Sequence, residues 1–137
     1  DISSEDHIID AGLGFAARIG KQSGRFGDFI GRDSVLRRKE EGVKARMFQF
    51  RLNDPQPLLY HNEAVMRDGE IVGHLTSGNY GHHLGGAIGM GYIPCRDGET
   101  AQDQIASRYQ VDVAGQIVDA EISIKPMYDP ASVRMKA

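Results

Sequence analysis

The stretch Glu63–Pro94, EAVMRDGEIVGHLTSGNYGHHLGGAIGMGYIP, constrains this chain more than any other. Asp68-Gly69 stands between two strand-like runs, and such a pair favours a two-residue type I′ turn because both central residues need positive φ. That turn sets a register, with Arg67 opposite Glu70 as an opposite-charge cross-strand pair and Met66 opposite Ile71 behind it. After Leu75 the run Thr76-Ser77-Gly78-Asn79-Tyr80-Gly81 is rich in turn formers and predicts a bend. From Leu84 to Tyr92 the chain resumes as a strand with Gly86, Gly89 and Gly91 in its interior. Glycine weakens strand pairing, so these positions predict a bulge, a barrel corner or close approach by another backbone, in a sharply bent strand.

The remaining segments supply partners for this unit. Lys44–Leu52 alternates, with Phe48, Phe50 and Leu52 on one face and Met47, Gln49 and Arg51 on the other, as in a strand covered on one side. Asn53-Asp54-Pro55-Gln56-Pro57 breaks it, and Leu58, Leu59 and Tyr60 lead back to the central hairpin. Cys95–Ala106 reads as a polar loop with a turn at Asp97-Gly98. The last hairpin turns at Ala114-Gly115, which sets Val113 opposite Gln116, Val111 opposite Val118 and Tyr109 opposite Ala120. One face then collects Tyr109, Val111, Val113, Val118, Ala120, Ile122 and Ile124, with Ile117 the exception on the polar face. The tail from Lys125 reads as a loop that docks Met127 and Tyr128. Near the start, a short helix over about 33–41 is capped by Asp33 or Ser34, presents Val35 and Leu36 with Ile30 as an apolar edge, and ends at Gly42. Counting gives an all-β fold of about six strands with one short N-terminal helix, an antiparallel barrel or sandwich.

The 137 residues make one domain's worth of chain, and a formal charge of −3 gives no reason to expect a nucleic-acid or anionic-membrane partner. No apolar run approaches the roughly 20 residues that span a bilayer. A single cysteine excludes an internal disulfide framework and leans towards a reducing compartment. Gly12-Leu-Gly14-Phe-Ala-Ala17 fits a dinucleotide-binding fingerprint, but Gly20 and Gly24 would stop its helix early and no parallel strand follows. The segment reads instead as irregular chain that packs Leu13 and Phe15 on a neighbour. His82 and His83 are adjacent, so a strand would point them to opposite faces; His61 and His74 lack ligand spacing, and Cys95 has no partner, so no metal site is expected. Ser77 is not in a nucleophile elbow. Asp68, Glu70, Asp97, Asp112 and Asp119 fall at turns or face outward. No self-contained catalytic site is legible.

Four blocks in order carry a resemblance: AGLGF (Ala11–Phe15), DFIGRDSVLRRKEEG (Asp28–Gly42), RDGEIVGHLTSGNYGHHLGGAIGMGYI (Arg67–Ile93) and AEISIKPMYDP (Ala120–Pro130). The chain resembles the C-terminal portion of the glycine cleavage T-protein (aminomethyltransferase) family, and looks closest to the folate-binding tail of FAD-dependent dimethylglycine and sarcosine dehydrogenases. The resemblance implies a folate domain of three leaves, with tetrahydrofolate near the middle and a six-stranded barrel as the last leaf. Residues 1–42 would end the middle leaf and 43–137 would form the barrel. The acidic residue that handles the folate amine and the loops that grip the pterin belong to the first two leaves, and any FAD site to a domain further upstream. Cofactor-binding candidates carried over are Phe15, where many relatives have tryptophan, Arg18 and Arg32, which approach the glutamate tail or make surface ion pairs, and Tyr80 and His82, which reach the cavity rim or pack between leaves.

Two functions follow from the resemblance. One is the terminal part of a folate-dependent aminomethyltransferase or demethylating dehydrogenase that passes a one-carbon unit from an N-methyl amine to tetrahydrofolate, the isolated chain being inactive. The other is a free-standing, non-catalytic binding or assembly module. The start at Asp1, in mid-segment, favours a fragment. A fragment would expose apolar surface around Ile8, Ile9, Leu13 and Phe15 where the missing leaves dock, and could self-associate there. The implied compartment is the cytoplasm if the source is bacterial and the mitochondrial matrix if it is eukaryotic.

Overall fold

The computed structural model describes residues 1–17 and 29–136. The strands are β1 (Ala45–Leu52), β2 (Ala64–Arg67), β3 (Glu70–Gly81), β4 (Gly86–Pro94), β5 (Tyr109–Val113) and β6 (Gln116–Ser123), and they close into an antiparallel barrel in the order β1-β4-β3-β2-β5-β6. Closure removes the unpaired edges that an open sheet of these strands would leave. Three short helices accompany the barrel among the described residues: α1 (Arg32–Glu41), α2 (Ala101–Ile105) and α3 (Val133–Lys136). None is long and apolar enough to cross a membrane.

Both hairpins form in the expected register. Asp68 and Gly69 have φ of 53° and 91°, and Arg67 pairs with Glu70 and Met66 with Ile71. Ala114 and Gly115 have φ of 52° and 89°, and Val113 pairs with Gln116, Val111 with Val118 and Tyr109 with Ala120. The core follows the alternation: Phe48, Phe50 and Leu52 of β1 meet Val65, Leu75, Ala87, Ile93, Tyr109, Val111 and Val118, all buried. Each large side chain so buried contributes about 1.5–3 kcal/mol. Ile124, expected on this face, is 47% exposed because β6 ends at Ser123.

The expected bend after Leu75 is not there. β3 runs on to Gly81 through a bulge between Leu75 and Ser77, and the reversal comes at residues 81–86, where Leu84 and Gly85 donate to the Gly81 carbonyl. The turn-forming residues serve close packing instead: a Cβ on Gly78 would stand 2.6 Å from the Leu59 backbone, and one on Gly89 2.7 Å from Leu75 Cδ1. So the glycines mark close approach, as glycines inside strands often do.

Arg67 also departs from expectation. It faces Glu70 in the ladder, but its guanidinium is buried and donates to Glu99 at 2.5 Å and to Ser107 Oγ at 2.9 Å. Glu99 lies in the segment read as a polar loop, which contains α2. Thr100 caps that helix with Asp103 in a reciprocal capping box. Gln104 of α2 is fully buried; its amide donates to the Pro94 carbonyl at 3.1 Å, and its Oε1 accepts from Arg46 at 2.8 Å. Arg46 also donates to Cys95 Sγ and to the Glu99 carbonyl, so this polar network closes one end of the barrel.

At the other margins, α1 starts at Gly31 with φ of 91° and no side-chain cap, in place of the Asp33 or Ser34 cap expected. None of its residues is buried, and Ile30 is fully exposed. The tail docks as expected through Met127, whose amide donates to Gln49 Oε1 at 3.0 Å, and Tyr128, which stacks on His83 at 4.8 Å. The glycine fingerprint at 12–17 falls on a single 3-10 turn, Gly14–Ala17, and no strand precedes it among the described residues.

Candidate functional site

The barrel is unequally zipped along β1. On one side β4 pairs with it from Ala45 to Arg51; on the other β6 pairs only from Gln49 to Leu52. At Ser123 the chain leaves the barrel through Ile124, Lys125 and Pro126, and the first half of β1 faces an open seam. The N-terminal arm fills part of it. Met47 N donates to the Asp10 carbonyl at 3.2 Å, which continues the ladder where β6 has left it. The Asp10 side chain is buried; Oδ2 accepts from Arg38 Nη2 at 2.6 Å and Oδ1 accepts from Lys44 N at 3.2 Å. At its far end the arm crosses β4 and β3, where Tyr92 Oη donates to the Asp1 carbonyl and Thr76 Oγ1 to the Asp1 carboxylate.

Between arm, outer barrel wall and departing tail lies a cleft of about 650 Å³. Leu13 and Phe15 of the arm, Met47 of β1, Met90 of β4, and Ile124 and Pro126 of the tail make its wall. Phe15 stands at the mouth, 80% exposed on the 3-10 turn. The volume and the apolar lining are those of a small-molecule or side-chain pocket. The nearby polar groups already have partners: Asp10 is held as above, and Arg46 reaches into the barrel-end network. The Tyr92 hydroxyl beneath the arm is pushed above the usual phenol range, first by burial and then by the Asp6 and Asp10 carboxylates, so it stays a donor. What the cleft offers is therefore aromatic stacking and apolar contact.

The structure separates the residues that the sequence grouped. Phe15 lines the cleft. Arg18 lies outside the described residues. Arg32 opens α1 as a partly exposed side chain 3.9 Å from Asp33, a surface pairing. Tyr80, near the end of β3, and His82, on the reversal into β4, meet edge to face at 5.2 Å, and neither lines the cleft. His83 diverges from His82 to stack on Tyr128, over which Arg134 lies at 5.8 Å. Ile8, Ile9 and Leu13 are half-buried, so Phe15 alone of the four expected apolar residues is freely exposed. Sequence reasoning missed Asp10, whose partners lie 28 and 34 residues away. It also missed Met90 and Pro126, although the alternation of β1 did put Met47 on the outer face.

This architecture has known counterparts. The family model for the glycine cleavage T-protein C-terminal barrel domain matches residues 46–129. Over 99% of its length the chain is 33% identical to 4-methylaminobutanoate oxidase (formaldehyde-forming) of Paenarthrobacter nicotinovorans, and it covers 15% of that protein. It is 30% identical to the aminomethyltransferase of Rippkaea orientalis over 93% of this chain and 32% of that one. Mitochondrial sarcosine dehydrogenase of Homo sapiens is 27% identical over 99% of this chain and 14% of its own length. The crystal structure of glycine cleavage system aminomethyltransferase T from Bartonella henselae superposes with a TM-score of 0.65 over 89% of this chain and 32% of that chain, at 20% identity, a likeness of fold. The chain thus spans between 14% and 32% of the length of these relatives. With the family match running through all six strands of the closed barrel, the chain belongs to the glycine cleavage T-protein C-terminal barrel domain family.

Proposed function

We propose that this chain works as the terminal barrel of a tetrahydrofolate-dependent enzyme that moves a one-carbon unit from an N-methyl amine to the folate, and that it supplies one wall of the folate site. The observation that carries this reading is the exposed ring of Phe15 over an apolar cleft on the outside of a closed barrel. The names of the relatives support the chemistry: sarcosine and 4-methylaminobutanoate are both N-methylated amines, and an aminomethyltransferase handles the corresponding one-carbon fragment.

Tetrahydrofolate fits the cleft in part. Phe15 offers an aromatic face to a pterin or benzoyl ring, and the volume suits a ring of that size. The hydrogen-bonding edge of a pterin finds fewer free partners, because Asp10 and Arg46 are already held. On this reading the barrel contributes a surface, and the groups that bind and orient the pterin come from the other leaves. When bound, tetrahydrofolate supplies the amine nitrogens that accept the one-carbon unit. Residues 1–42 would close the middle leaf, Arg18 and Arg32 would lie towards the glutamate tail, and Tyr80 and His82 would contact a neighbouring leaf. An N-methyl carbon reaches the level that tetrahydrofolate takes up only after a two-electron oxidation, which an FAD in a further domain would supply. With the cleft uncovered, the same apolar surface would favour self-association at high concentration.

The test is transfer of a one-carbon unit already at the formaldehyde level, an aminomethyl group that leaves its amine behind, to tetrahydrofolate, followed as methylenetetrahydrofolate formed. It compares this chain with the longer protein in which the barrel follows the first two leaves of its folate domain. Turnover by the longer protein alone is expected, with Phe15→Ala raising its KM for tetrahydrofolate. An unchanged KM in that variant would remove the cleft from the site. A longer protein without turnover would favour a binding or assembly module.

A further inference from the structure

We propose that Asp10 is the positioning residue of the cleft: it holds the arm against β1 and thereby sets where Phe15 stands. The functional part of this rests on the reading of the cleft given above. Where β6 departs, the ladder on the first half of β1 is continued by one backbone bond, Met47 N to the Asp10 carbonyl. A single backbone bond of that kind adds little net stability, since folding only exchanges bonds to water for it. The Asp10 side chain adds two more, to Arg38 at 2.6 Å and to Lys44 N at 3.2 Å, and so ties the arm, α1 and the entry to β1 at one point. The Asp10 and Arg38 side chains are only 8% and 18% exposed, where solvent and salt screen a pair little. α1 fully buries none of its residues and leaves Val35 and Leu36 half-buried, so the Arg38–Asp10 pair adds a polar tie to a thin apolar contact.

The arm transmits this placement to Phe15. Its turns are closed by bonds from Ala11 N to the His7 carbonyl, Gly12 N to Ile9, Leu13 N to Ile8 and Ala16 N to Leu13. These bonds make residues 7–16 one hydrogen-bonded unit with Asp10 near its middle. A shift at Asp10 is therefore a shift at Phe15.

The chain contains no tryptophan, so Phe15→Trp installs a single fluorescent reporter at the cleft mouth. In that background Asp10→Asn keeps the size of the side chain and removes the charged partner of Arg38. Loss of one charge-assisted hydrogen bond should speed amide exchange at Met47 and Leu13 by about tenfold or more, and leave the β1–β4 ladder unchanged. The fluorescence anisotropy of the introduced indole should fall with it. Arg38→Gln should reproduce the effect, and the double variant should be little worse than either single one. Unchanged Met47 protection would overturn the proposal, and so would uniform acceleration across all barrel amides, which would make Asp10 a general stability residue. Tetrahydrofolate binding by the longer protein separates the two readings. If Asp10→Asn frees the arm and leaves that affinity intact, the folate reading of the cleft fails and the positioning role stands. If it frees the arm and weakens binding about tenfold, both are supported.

Discussion

A methyl group on Gly78 would meet the carbonyl carbon and Cβ of Leu59 at 2.6 Å and Tyr60 N at 2.7 Å, with backbone on both sides and little freedom to yield. Gly78→Ala should therefore lower stability by about 2 kcal/mol or more, read from urea unfolding midpoints. At the barrel end, Arg67 and Glu99 are 5% and 8% exposed in their side chains and bond at 2.5 Å. The Arg67 hydrogen bond holds the Glu99 carboxyl below its usual range, and Glu99 in turn holds the Arg67 guanidinium above its own. A carboxylate lowered in the fold contributes stability that is fully present above its unfolded value, about pH 4.3, and is lost as pH falls through the lower folded value. Wild-type protein should thus lose stability on acidification below about pH 4 more steeply than Glu99→Gln. At neutral pH that variant should be less stable by about 3 kcal/mol, because it strands a buried guanidinium. The Tyr109 hydroxyl is buried in the core with no hydrogen-bond partner among the described residues, and its burial pushes the phenol up. Tyr109→Phe should consequently cost nothing and can raise Tm.

At the scale of elements, the hairpins were legible because their signals are local. Asp68-Gly69 and Ala114-Gly115 each join two alternating runs, and both turns form with positive φ at both central residues. Ala114 at φ 52° carries a strain that glycine does not. Ala114→Gly should stabilise the hairpin by up to about 1 kcal/mol, seen as a higher Tm. The end of β3 was misread because its reason is not local: Ser77 and Gly78 favour a turn by composition, but the crossing Leu59 segment needs a bare backbone in a continuous strand there. α2 was misread for a different reason. Its capping box, Thr100 with Asp103, was present in the sequence, but a five-residue helix gives no periodicity, and burial of Gln104 depends on Arg46 across the barrel. Thr100→Ala should remove about 1 kcal/mol, measured by chemical denaturation.

For the whole molecule, six strands and their core followed from alternation and turn chemistry, which left barrel and sandwich open; closure was implied by the family resemblance. The cleft was only half legible. Phe15 was visible as an aromatic in a glycine-rich segment, but the seam that makes a pocket beneath it exists because β6 ends before β1 does, a mismatch in length that no local pattern records. Asp10 left no signal at all, since its role lies in partners from α1 and β1. On the proposed reading, the chain is a closed barrel with its functional surface on the outside, facing whatever covers Phe15. The most direct measurement is calorimetric titration of tetrahydrofolate into this chain and into the longer protein that includes the first two leaves. Binding by the longer protein alone is the expected result and would make the barrel one wall of a shared site. Micromolar binding by this chain alone would contradict it and place a complete site within these 137 residues.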